Sequence, residues 1–257
     1  MLTLRSVNDT RMLLPWFLAA LGATFATSTA EPAAKTPQTK LDLFETRYRA
    51  AEEQHSSVPS NATIAMAFAA ASFDRAELAV DSKERAHLAK KATEVCRRFV
   101  NHETEQAAAQ YYLALNLGQL ARTKWLGALS IVREMEERFV TAQRLNPELD
   151  HAGASRALSM LYDQAPGWPT SIGNQEKALH YAKQAINIAP QFPGNQLHYI
   201  ELLEKADRLD EARERLEKLP ELTKPARESL SSAYWKFRWQ EWDQRWDRLK
   251  QSLAAKN

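Results

Sequence analysis

Cysteine is almost absent from this chain: Cys96 is the only one among 257 residues. A single thiol excludes an intrachain disulfide and any cysteine-based zinc site. Glycine is scarce as well, with seven residues in all, which leaves little raw material for tight turns and favours helices over strands. Neither sign of charge is in excess. The 34 lysines and arginines face 32 aspartates and glutamates, so a polyanion such as nucleic acid meets no electrostatic footprint. Catalytic signatures are missing too. The six histidines (His55, His87, His102, His151, His180 and His198) are dispersed, with no His-Glu-x-x-His spacing, no Gly-x-Ser-x-Gly elbow and no phosphate-cradling glycine loop. Cys96 sits beside Val95 on an apolar stripe, where a small buried side chain is expected and not a nucleophile. The expectation is a non-enzymatic protein with no catalytic residues, no cofactor and no metal.

What is present is ordinary for a globular protein: 44% hydrophobic and 26% charged residues, in a length that allows one or two domains. Arg5 and Arg11 precede an apolar run, Met12 to Ala26, followed by small residues up to Ala30 and then Glu31-Pro32. That order is the order of a secretory signal peptide. The run is 15 residues, short of the roughly 20 that a membrane-spanning helix needs, although an uncleaved anchor is the competing reading. Residues 1–30 are therefore expected to be a signal peptide cleaved before Glu31, placing the mature protein in the periplasm or outside the cell. Residues 31–40, with Pro32 and Pro37, form a linker into a helical domain at residues 41–253.

Apolar residues recur at steps of three and four through the rest of the chain, the helix period. Leu41, Phe44, Tyr48 and Ala51 make one face, and Ile64, Phe68 and Ala71 a second, in an alanine-rich segment whose neighbours can approach closely. Asp81 with Glu84 marks a helix start, and Leu88, Ala92, Val95 and Phe99 follow as its stripe. Tyr111, Leu115 and Gln119 continue the pattern less cleanly. Trp125, Leu129, Val132, Met135, Phe139 and Ala142 give a stripe of nearly five turns that ends at Pro147.

The second half carries a repeat. Ala178, Ala182 and Ala185, followed by Pro190, match the second helix of a tetratricopeptide unit, and Ala178 to Ala212 is the 34-residue period of that repeat. Phe139, Ala142 and Pro147 occupy the same places upstream, but Pro147 to Pro190 is 43 residues. The excess of nine falls at Ala165 to Asn174, where the turn between paired helices belongs. The fold class expected is all-α, a tetratricopeptide-like array with an inserted loop and a C-terminal capping helix.

Between Tyr111 and Leu219 the chain carries Tyr112 to Gly118, Leu145-Asn146-Pro147, Asp150 to Leu158, Ala165 to Pro169, and the helix from Lys177 to Pro190. In these residues the segment resembles the T-component of tripartite ATP-independent periplasmic (TRAP) transporters. The resemblance implies an exported helical protein that oligomerises, partners a periplasmic solute-binding protein and encloses a pocket for a small, largely apolar organic ligand. A tetratricopeptide scaffold that grips a protein partner, with no small molecule, is the alternative.

Two groups of residues stand out as candidate sites. In the inserted loop, Gly167 and Gly173 permit unusual backbone geometry, Pro166 and Pro169 stiffen it, and Trp168, Ile172 and Asn174 offer contact groups. Trp168 could equally fold down and plug the end of a helix pair. Arg156 could meet a carboxylate ligand, or pair with Asp150 or Glu176 within the fold. The second group is Trp235, Trp239, Trp242 and Trp246, at steps of four, three and four, which puts all four indoles on one helix face. That face suits an interface with a partner or a second copy, or a cap over the open end of the array.

Overall fold

A computed structural model describes residues 39–124 and 127–256. The expected leader at 1–30, the linker as far as residue 38, and Trp125 lie outside the described residues. Among those described, ten helices follow one another: α1 (Lys40–Ser57), α2 (Ala62–Glu77), α3 (Ser82–Phe99), α4 (Gln106–Ala121), α5 (Ala128–Leu145), α6 (Leu149–Gln164), α7 (Gln175–Ile188), α8 (Pro193–Lys205), α9 (Leu209–Ser229) and α10 (Ala233–Ala255).

Their boundaries are set by local chemistry. Thr39, Asn61, Asp81 and Asn174 each precede a helix and accept a hydrogen bond from a backbone N–H three residues on, at 2.7–3.1 Å. Pro193 opens α8, where its missing N–H costs nothing. α5 ends two residues before Pro147 and α7 two before Pro190, as the proline rule requires. α9 departs from that rule by continuing through Pro220 and Pro225. Within it, the Thr223 hydroxyl donates to the Leu219 carbonyl at 2.8 Å.

Each helix packs on the next, and α2 also packs on α4, α4 on α6 and α8 on α10. The even-numbered helices thus form an inner row, and α1, α3, α5, α7 and α9 an outer one. Burial follows this division. α2, α4, α6 and α8 are covered on nearly every side, whereas α5 buries only Met135, Phe139 and Ala142 and leaves Leu129 exposed. This also explains why the pattern at Tyr111, Leu115 and Gln119 is unclean, because a helix buried all round needs no polar face. Ala178, Ala182, Ala185 and Ala212 are all buried at helix contacts, so the 34-residue period corresponds to α7 and α9 one helix pair apart.

α10 packs on α8 and α9 as a cap does, and it also reaches the opposite end of the array. Arg238 pairs with Asp74 of α2 at 3.0 Å, Glu241 pairs with Lys40 of α1, and the Tyr234 ring lies 5.5 Å from that of Phe44. Trp235 meets His151 of α6 edge-on at 6.3 Å. An array whose first and last pairs both touch one helix must curve round it, so α10 occupies the inner face.

Candidate functional site

The inserted loop, Ala165 to Asn174, is closed by its own backbone. The Gly173 N–H donates to the Pro166 carbonyl at 2.8 Å, and those of Thr170 and Ser171 donate to the Gly167 carbonyl at 3.1 and 3.2 Å. The Trp168-Pro169 peptide is cis. Glycine is required at 173 for space: a Cβ there would overlap the Ala165 carbonyl oxygen and stand 2.8 Å from the Pro166 carbonyl. Gly167 has room for a side chain, and neither glycine is left-handed, so the unusual backbone geometry expected of them is not what the loop uses. The left-handed glycine among the described residues is Gly127 (φ 81°).

The four candidates around this loop separate into different roles. Trp168 projects from it, 89% exposed, and does not plug a helix pair. Ile172 packs down on the core. Asn174 caps α7, its Oδ1 accepting from the Lys177 N–H at 2.9 Å. Arg156 is elsewhere, fully buried in the first half of α6, while α6 hands over to the loop after Gln164. Eight residues of helix, about 12 Å, lie between them.

Arg156 centres an interior polar network. Its Nη2 donates to Asp150 Oδ2 at 2.9 Å and to the Asp150 carbonyl at 3.2 Å, and its Nη1 to the His151 carbonyl at 3.0 Å and Asn195 Oδ1 at 2.8 Å. The guanidinium also lies over the Phe192 ring at 4.8 Å. Asp150, His151 and Ala152 have φ of 51°, 54° and 62°, left-handed conformations that cost a non-glycine residue about 1–2 kcal/mol each. Two of the carbonyls in that turn are those Arg156 grips, so the arginine clamps a strained segment. Tyr111 of α4 donates to Asp150 Oδ2 at 2.6 Å from the other side. The approach is close enough that a Cβ on Gly153 would overlap the Tyr111 hydroxyl. Burial pushes the Asp150 carboxyl up to about 7 against the opposing pull of Arg156 and Tyr111, and it lowers His151 to about 4. The likeness of Asp150 to Leu158 to a family segment flagged this stretch, and of the three partners the sequence left open for Arg156, a carboxylate ligand, Asp150 or Glu176, the structure pairs it with Asp150. The partners Tyr111 and Asn195, each 39 residues from its contact, carry no local signal.

A second polar line joins α10 to the array. His198 Nε2 is 2.8 Å from Ser159 Oγ, its Nδ1 is 4.0 Å from Glu201, and Glu201 receives Arg245 of α10 through two bonds of 2.9 and 2.6 Å. Burial lowers His198 to about 4. Lys256 adds a pair with Glu204 at 2.8 Å. Deeper in the inner row, burial lifts Glu77 to about 6, though Arg122 stands 3.3 Å away and Gln119 donates to it.

The tryptophan stripe lies along this face. Trp235 stacks on Trp242 at 5.9 Å, Trp239 meets Trp242 edge-on at 4.9 Å, and Phe192 meets Trp242 at 5.2 Å. Trp239 Nε1 donates to the Leu230 carbonyl at 3.0 Å. Trp246 is half-buried at the rim, with Lys250 over its ring at 5.0 Å. Three of the four indoles are therefore used inside this molecule. A cleft of about 780 Å³ runs between α1 and α3, floored by Arg75, which Glu45 and Glu84 both hold at 2.5 Å. Charged side chains line it together with Leu41, Tyr48 and Leu88, and it contains none of the sequence candidates. Among the described residues no three His, Cys, Asp or Glu side chains are gathered as metal ligands would be, and no helix is long and apolar enough to cross a membrane.

No curated protein matches this chain. Residues 173–230, from the end of the inserted loop through α7, α8 and α9, match the model of the tetratricopeptide repeat family, which covers the alanines at 178, 182, 185 and 212 that set the period. Among the described residues the chain is an all-α array of sequentially paired helices, and the segment 173–230 in its second half is similar to the tetratricopeptide repeat.

Proposed function

We propose that this chain is a protein-interaction scaffold, with the Trp168 loop as a contact point for its partner. The tetratricopeptide match supports protein binding in general, and the observation that carries the reading is the presentation of Trp168. An indole 89% exposed on a loop already closed by three backbone hydrogen bonds loses little entropy on binding and offers the side chain most enriched at interface hot spots. The leader read at residues 1–30 makes that partner an extracytoplasmic one, and a second copy of the chain is included among the possibilities.

The narrower form of the reading, a TRAP T-component-like accessory holding a small organic solute, rests on the resemblance alone. It calls for a cavity beside Trp168, whereas the inner face of the array is filled by α10 and the cleft on α1 to α3 lies away from the loop. A photo-crosslinking amino acid placed at position 168 of the full chain in its host separates the two. A defined polypeptide adduct from 168, absent when the same group is placed at exposed Val80, is the expected result. Absence of any adduct, together with a small molecule retained in the native mass spectrum, would overturn the scaffold in favour of the solute.

A further inference from the structure

We propose that the inner face of the array is a helix-binding site and that α10 is its intramolecular occupant, exchanged for a partner helix that is basic and carries tryptophan. The inference rests on the scaffold reading and adds a second surface to it. Its first support is charge complementarity. The inner row presents Asp74, Glu201 and Glu204, and α10 answers with Arg238 at 3.0 Å, Arg245 at 2.6 Å and Lys256 at 2.8 Å. Arg238 and Arg245 are seven residues apart, two turns of one helix face, with Trp235, Trp239 and Trp242 interleaved. The partner chemistry follows from this register: an amphipathic helix with tryptophans at i, i+4 and i+7 and arginines at i+3 and i+10.

The manner of attachment is the second support. α10 brings its backbone close to its neighbours' less than any other helix does, and it reaches the array through long side chains. Other helices of the array instead bury small side chains where they meet, as at Ala178, Ala182 and Ala185 of α7. The contact is also incompletely paired: among the described residues, Trp242 Nε1 and Arg245 Nη1 are buried with no acceptor, and His151 Nε2 on the array side has no partner. A short break at residues 230–232 joins α10 to α9; Leu230 is buried, while Ser231 and Ser232 are exposed and form the hinge that the exchange requires. Because the occupant is tethered, its effective concentration is on the order of millimolar, and a free helix of equal affinity competes only after the tether's hold is weakened.

Hydrogen exchange on the full wild-type chain is the first test. The amides of α10 are expected to exchange together, about tenfold or more faster than those of α4, as a sub-global opening would produce. The second uses the full chain carrying Arg245→Ala and a fluorescent synthetic peptide of residues 233–256. This variant should bind the peptide at least about tenfold more tightly than wild type does, with Glu201→Gln in the same background abolishing the gain. Protection of α10 equal to that of α4 overturns the proposal, and this result is read on wild type even if Arg245→Ala fails to fold. Failure of the peptide to bind a folded variant whose α10 exchanges fast also overturns it. A chain whose α10 never opens, yet which crosslinks a polypeptide through position 168, refutes this inference and leaves the scaffold standing.

Discussion

Replacing Arg156 by Met removes the cation at the centre of the interior network and leaves a side chain of comparable length. The arginine is fully buried, its pair with Asp150 is 2.9 Å long, and it makes three further hydrogen bonds to the carbonyls of Asp150 and His151 and to Asn195. Breaking one partner of a buried pair costs about 3–5 kcal/mol, because the other charge is left uncompensated. For a domain of this size each kcal/mol moves the melting temperature by about 2–4 °C, so the expected fall is about 6–20 °C. The cost depends on pH. Asp150 is pushed up to about 7 with Arg156 present, and losing the guanidinium raises it further. A carboxyl whose folded value lies above its unfolded one contributes stability that is complete below the unfolded value and is lost as pH rises through the folded value. Arg156→Met should therefore be more destabilised at pH 8 than at pH 5, where a proton neutralises Asp150. Urea unfolding followed by circular dichroism at both pH values measures this. The double variant Asp150→Asn/Arg156→Met should recover most of the loss. A cost below about 1 kcal/mol, or one equal at the two pH values, would refute the reasoning.

Gly153→Ala drives a methyl into the Tyr111 hydroxyl and to 2.8 Å from Asp150 Oδ2, so thermal denaturation should show a loss of about 1–3 kcal/mol, the usual cost of overpacking. Gly173→Ala meets backbone at Ala165 and Pro166, which cannot yield as a side chain would; the loop should open, and limited proteolysis should cut between residues 165 and 174 faster than in wild type. Trp168→Ala should leave the melting curve within about 0.5 kcal/mol of wild type, since the indole is exposed, while abolishing the partner adduct. His151 and His198 are held near 4 by burial against about 6.5 when unfolded, so the unfolded chain binds protons between those values that the folded chain does not. Stability due to each histidine falls as pH drops from about 6.5 to about 4, by up to ~1.4 kcal/mol per unit, and His151→Phe should remove one such share when urea midpoints at pH 5 and 7 are compared.

The helical class, the cap at Asp81 and the alanine period at 178, 182, 185 and 212 were legible because each follows from the local spacing of residues along the chain, whereas Asn174, read as a contact group, caps α7. The position of the inserted loop was legible too, since nine surplus residues between Pro147 and Pro190 can only lie in a connection. Within that loop the tryptophan was found, but its outward direction was not, because that follows from the closure of Pro166 on Gly173. The stripe on α10 showed four indoles on one face and no sign of what covers them. Arg245 reaches Glu201 of the neighbouring α8 across 44 residues, and Arg238 reaches Asp74 of α2 across 164, a contact that exists only because the paired helices curve until the two ends of the array share one helix. Local periodicity thus determines the helices and their repeat, since hydrogen bonds and capping act over a few residues. The curvature of the whole array decides which charged and aromatic groups become its interior, because that is where distant carboxylates and arginines are brought within a hydrogen bond of each other.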